Sequence, residues 1–200
     1  MAGLFEGTAD GGVAVALDEV EISILRSLAV QLLELVGPGE QPVAGEDPLA
    51  ALFAEGPSEA PADPALARLF PDAYGDPQAG PGEQDERQVR ADSAEFRRFT
   101  ENDLRTRKRE DALAVVRSLD APAATGEDGA VLKLSGDECR RWLGTLNDLR
   151  LTIGARLEVT DEDEDGRLYR LPDSDPRKPL VMAYLWLGAL QESLVETMMP

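Results

Sequence analysis

The 200-residue chain contains no histidine. It therefore has no imidazole base poised near neutrality, no Ser-His-Asp or Cys-His machinery and no histidine metal ligand. Acid–base chemistry would fall to carboxylates, lysine or tyrosine. With a single cysteine, Cys139, it can form no intramolecular disulfide and cannot supply the Cys and His ligands of a structural zinc site. Such sparse cysteine usage suits a reducing compartment. Positive charge is scarce too, with 20 Lys and Arg against 39 Asp and Glu and a formal charge of -19. That excess repels phosphate backbones and argues against direct nucleic-acid binding. Long apolar runs are missing: the longest, Leu180 to Leu190, has 11 residues, where a membrane span needs about 20. Met1 to Asp10 carries neither the basic nor the apolar part of a signal peptide. The expectation is a cytoplasmic, non-membrane protein without a cofactor.

What charge there is falls unevenly. Residues 1–82 hold 14 acidic and 2 basic side chains, residues 83–120 hold 10 and 9, and residues 121–200 hold 15 and 9. Cations cluster only in the balanced middle, most densely at Arg105, Arg107, Lys108 and Arg109. An acidic partner surface would start there. The alternative is a solvated helix face paired with Glu101, Asp103, Glu110 and Asp111, favoured because no aromatic residue is interleaved for base stacking.

Fold class follows from periodicity. A single domain over 1–200 is expected, mainly α, as a helical bundle with a small two-stranded β element. A Pro/Gly-rich irregular insertion runs over about 37–82, where 9 Pro and 7 Gly fall in 46 residues. Within it, Pro48 to Phe53 and Pro64 to Phe70 suit short helices opened by proline. Gly12 to Leu17 and Ala130 to Leu134 read as strands, each followed at once by a capped helix. Asp18 with Glu21 forms a capping-box pattern before a helix ended by Gly37-Pro38, and Ser135 or Asp137 caps a helix over 137–159. From Gln84 to Leu119 the composition favours helix, with Val89, Phe96, Phe99, Leu104, Leu113, Val116 and Leu119 as buried candidates. The apolar stripe loses phase near Thr100, which predicts two helices or a kink there. The last helix, Pro179 to Met198, is apolar on nearly all sides and belongs at the centre of a bundle or in an oligomer interface, which leaves a homodimer open.

Three further groups bear on chemistry. Asp161, Asp163, Asp165 and Gly166 resemble the first half of a calcium loop, but Pro172 stands where the closing bidentate Glu belongs. An acidic connector is the preferred reading, with no metal. Cys139 follows a helix cap and adjoins Arg140 and Arg141, whose charge together with the helix dipole could lower the thiol pKa, as a redox sensor requires; a small core residue is the preferred reading. Asp148 beside Arg150 reads as a buried pair fixing helix packing.

Four segments resemble a little-characterised actinobacterial family: Trp142 to Leu157, Tyr184 to Val195, Ala67 to Tyr74 and Phe96 to Arg105. The family, described largely as a domain of unknown function, is encoded near the Clp protease adaptor and cysteine-biosynthesis genes and includes oxidative stress regulators. The resemblance implies a cytoplasmic, non-enzymatic regulator that contacts a sigma factor or transcription complex and senses oxidants through a Cys-x-x-x-Cys disulfide. Here Ser135 precedes Cys139 by four residues and Leu143 follows by four, so that disulfide cannot form. The alternative function is an adaptor or assembly protein linked to Clp proteolysis or cysteine biosynthesis. A carboxylate-dependent hydrolase is the weakest reading.

Overall fold

Two capping boxes set the frame. Asp18 accepts the Glu21 N–H at 2.8 Å while the Glu21 carboxylate accepts the Asp18 N–H at 2.9 Å. These bonds satisfy backbone donors that a helix start otherwise leaves orphaned. They open α1 (Glu19–Val36), which ends where Gly37 takes φ 83° and donates to the Leu33 carbonyl. Ser135 and Glu138 repeat the arrangement at the start of α4 (Gly136–Arg156). In this computed structural model the described residues are 3–9, 11–38, 55–75, 86–121, 124–126, 129–160 and 168–199.

Between these helices lie α2 (Pro64–Leu69), capped by Asp63, and α3 (Glu86–Asp120); α5 (Lys178–Met198) closes the bundle. The strands are β1 (Phe5–Gly7), β2 (Val13–Leu17), β3 (Ala124–Gly126) and β4 (Gly129–Leu134). The chain is mostly helical, as expected. Both expected strands exist and pair with each other antiparallel, Val13 opposite Leu134 and Leu17 opposite Ala130. Val13, Val15 and Leu17 are buried, as are Ala130, Leu132 and Leu134, so one face of the pair covers the helices.

The two-stranded expectation needs correction. The sheet has order β1-β2-β4-β3 with every pairing antiparallel. Its outer strands have three residues each, too short to show a period of two. β1 owes its place to tertiary contacts instead: Phe5 meets the Trp142 ring edge-on at 5.7 Å and its N–H donates to Ser193 Oγ of α5 at 3.1 Å.

The centre of the bundle is α4, which packs against α1, α2, α3 and α5. It buries Trp142, Leu146, Leu149 and Ile153 at helical spacing. The apolar final helix instead lies to one side: α5 buries Val181, Leu187, Leu190 and Leu194, while Met182 is 53% exposed. The chain is not divided into two helices near Thr100. α3 is one helix of 35 residues, about 52 Å long at 1.5 Å per residue. Its buried stripe runs Ser93, Arg97, Glu101, Ala112, Val115, Leu119, so the stripe keeps its phase and changes its chemistry. The aromatic residues expected inside face out, with Phe96 and Phe99 exposed and Leu104 beside them. The short helix expected over Pro48 to Phe53 lies outside the described residues.

Candidate functional site

The polar half of that stripe is built against the turn that follows α2. Ser93 Oγ accepts the Tyr74 N–H at 3.3 Å and donates to the Tyr74 carbonyl at 3.2 Å. Four residues on, Arg97 donates through Nη1 to the Phe70 carbonyl at 3.0 Å and Glu101 at 2.6 Å, and through Nη2 to Asp72 at 2.8 Å. Burial works against the Arg97 charge, yet the bonds to Asp72 and Glu101 outweigh it and raise its pKa. Glu101, 2% exposed, accepts two bonds from Arg105 on its other oxygen, at 2.8 and 2.7 Å. The Arg105 guanidinium lies 4.4 Å from the Phe70 ring centroid, a cation–π contact in a desolvated place.

The expected partner-contact cations now have positions. Arg105 Nη1 donates to the Val36 carbonyl at 2.7 Å, and Arg109 Nη1 donates to the Leu33 and Gly37 carbonyls. The last turn of α1 holds no basic residue of its own; α3 supplies the cations that answer the negative end of that helix. Lys108 is bound to Asp148 at 2.6 Å. Three of the four cations thus tie α3 to its neighbours, and Arg107 alone is fully on the surface.

Asp148 does fix helix packing, but through Lys108 and not Arg150. Residues two apart on a helix point to different sides. Burial pushes the Asp148 carboxyl up, and the Lys108 ammonium only partly offsets this. Arg150 reaches the other way, to Gln191 of α5 at 2.6 Å.

Cys139 stands in the core, as its preferred reading has it, and not in the setting of a low-pKa thiol. The residue is 1% exposed. Burial pushes its pKa up and the Glu138 carboxylate adds to the rise; the backbone bond and Arg140 act in the expected direction but are weaker. Asp161, Asp163 and Asp165 lie outside the described residues, and among the described ones no cluster of acidic or cysteine side chains could hold a metal.

On the outer side of the network, Phe96, Thr100 and Leu104 stand at steps of four and meet Phe70, Pro71 and Ala73 across a cleft of about 180 Å³. Tyr74 closes on Phe96 edge-on at 5.9 Å. Phe99 is 65% exposed, with Arg98 stacked on it at 5.7 Å. The cleft has an apolar wall and a floor fixed by ion pairs, a form suited to holding one inserted side chain. The sequence held a signal for this floor in the spacing 93, 97, 101, 105, which an apolar count passes over.

A family model described as a domain of unknown function, DUF2017, matches residues 2–198. The chain belongs to this family. Among relatives of this DUF2017 chain are proteins named oxidative stress regulator AosR from Mycobacterium tuberculosis and Mycobacterium bovis, 31% identical over 151 residues, covering 72% of this chain and 62% of theirs. The chain thus spans less than two thirds of the length of these relatives. A provisionally named oxidative stress regulator AosR from Mycobacterium leprae is 30% identical over 187 residues, covering 90% of this chain and 79% of its own. No solved structure matches the chain. The resemblance read from Trp142 to Leu157 and the three other segments is borne out at family level.

Proposed function

We propose that this DUF2017 protein is a non-enzymatic regulator tied to oxidative stress, acting in the cytoplasm by contact with a sigma factor or transcription complex. Two of its relatives carry the name oxidative stress regulator. The observation that carries the contact reading is the cleft of Phe70, Phe96 and Leu104, with Tyr74 and Phe99 exposed beside it. Glu95 and Asp103 are exposed on the same helix, so the fitting partner presents an apolar anchor within a basic segment. An acidic protein meeting a basic partner reconciles a charge of -19 with a transcriptional role.

The buried, high-pKa thiol of Cys139 supports regulation without a thiol switch in this chain; the oxidant signal then enters through the partner. The test is a pull-down with the full chain from stressed and unstressed cells, alongside Phe96→Ser/Leu104→Ser and Cys139→Ser. The expected result is recovery of a sigma factor or polymerase subunit, reduced about tenfold by the double substitution and unchanged by Cys139→Ser. Clp components recovered without any polymerase subunit would replace this reading with the adaptor one.

A further inference from the structure

The cleft between α3 and the turn after α2 also limits the form of what enters it. Its volume of about 180 Å³ lies below the roughly 300–1,000 Å³ usual for small-molecule sites and close to an apolar cavity of about 150 Å³ that holds a benzene ring. One phenylalanine-sized side chain fills it. The walls offer no continuous edge to an extended strand. On one side the N–H and C=O groups are spent within α3. On the other, the backbone at both ends of the turn is engaged: the Phe70 carbonyl accepts from Arg97, and the Tyr74 N–H and carbonyl are both held by Ser93. Recognition is left to side chains, so a peptide occupant must satisfy its own backbone, as a helix does.

Charge around the mouth sets a pattern on that helix. Asp72, on the turn, is neutralised by Arg97. The uncompensated acidity lies on α3, at Glu95 beside Phe96 and at Asp103 beside Leu104; both are exposed, and neither forms an ion pair among the described residues. Arg98, between them, is bound to Glu55 and stacked on Phe99. Exposed Arg107, one turn past Asp103, ends the acidic stretch. Glu95 and Asp103 are eight residues apart, about 12 Å along the axis at 1.5 Å per residue. On a second helix laid along α3, the residues four before and four after an anchor are separated by the same distance and lie on the anchor's own face. We propose that the cleft takes one apolar side chain of a partner helix that carries an arginine or lysine four residues to either side of it, these cations pairing with Glu95 and Asp103. The inference rests on the reading of this cleft as the contact surface and adds the form of the segment that enters it.

The probe is an alanine-based helical peptide with one phenylalanine and an arginine four residues to either side, titrated into the full chain at low salt. The readout is the backbone amide nuclear magnetic resonance signals of α3, and those of Ser93 to Leu104 are expected to move saturably. Replacing the peptide's phenylalanine by alanine should weaken binding more than about tenfold. Moving its arginines to two residues from the anchor keeps composition and charge but turns them to another side of the helix. That change should weaken binding about fivefold, the scale of two exposed ion pairs, and Glu95→Gln/Asp103→Asn should do the same. Both substituted side chains are exposed, so this variant keeps the fold. The proposal is overturned by signals that do not move, by equal binding of the respaced peptide or by unchanged affinity in Glu95→Gln/Asp103→Asn. It is overturned as well by the same shifts arising from protein concentration alone, which would seat a second copy in the cleft. Recovery of a polymerase subunit that Phe96→Ser/Leu104→Ser reduces, beside failure of the peptide tests, would sink the helix pattern and leave the contact reading. The expected peptide binding without any sigma factor or polymerase subunit recovered would uphold the pattern and sink the regulatory reading.

Discussion

A carboxylate buried between two arginines is held by its bonds, and removing it leaves two charges with nothing to replace water. Glu101 binds Arg97 and Arg105 at once. Glu101→Ala is therefore expected to cost about 3–5 kcal/mol in urea unfolding, the range for breaking a buried pair from one side. Arg107→Ala, on the exposed side of the same helix, should stay within about 0.5 kcal/mol. Cys139 gives a second prediction. Its burial and raised pKa should make alkylation by iodoacetamide at least about 100-fold slower in the native protein than in urea, because reaction waits on local opening. Asp148 gives a third, with its sign set by burial. Since its folded-state pKa lies above the unfolded value, the folded state takes up a proton first. The stability this contributes is present at acid pH and lost as pH rises through the folded pKa. Relative to Asp148→Asn, the wild type should gain stability as pH falls from neutrality towards 4, measured by unfolding at each pH.

At the scale of elements, α3 explains both the success and the failure of reading the sequence. Capping residues were legible because their effect is local: Asp18 with Glu21 and Ser135 with Glu138 act within four residues of chain. The pairing of β2 with β4 was legible because each has its own alternation. The inward face of α3 was not, since its first half is filled by Ser93, Arg97 and Glu101, which are apolar by no scale. Their burial depends on Phe70, Asp72 and Tyr74 from a distant turn. Phe96 and Phe99 were placed inside by hydrophobicity and stand outside, Phe96 lining the cleft beside Phe70. Arg150 was paired with Asp148 for a related reason: its actual partner, Gln191, stands on α5 and not among its own neighbours in sequence. The continuity of α3 can be checked directly. Thr100 sits within it, its Oγ1 donating to the Phe96 carbonyl at 2.8 Å. Thr100→Pro should remove a helical bond and cost about 3 kcal/mol or more, whereas a break already present there would absorb the proline at little cost.

For the molecule as a whole, the charge of -19 is a standing repulsion set against short-range pairs that hold the helices together. Salt screens the first more than the second, because the pairs of Arg97, Glu101 and Asp148 are largely withdrawn from water. Thermal melts should therefore show Tm rising as potassium chloride is increased from about 0.01 to 0.3 M. A falling Tm would mean that exposed pairs such as Arg26–Asp120 matter more than their surroundings suggest.

The bond from the Phe5 N–H to Ser193 Oγ also says something about time. During synthesis the first strand emerges long before the helix that anchors it, and β2 must wait for β4 across more than a hundred residues. The apolar face of β2 stays uncovered through that interval. Contacts so distant in sequence are slow to close and expose a nascent chain to wrong pairings. Capped α1 can form early; the sheet that roofs it is completed only when the last helix arrives.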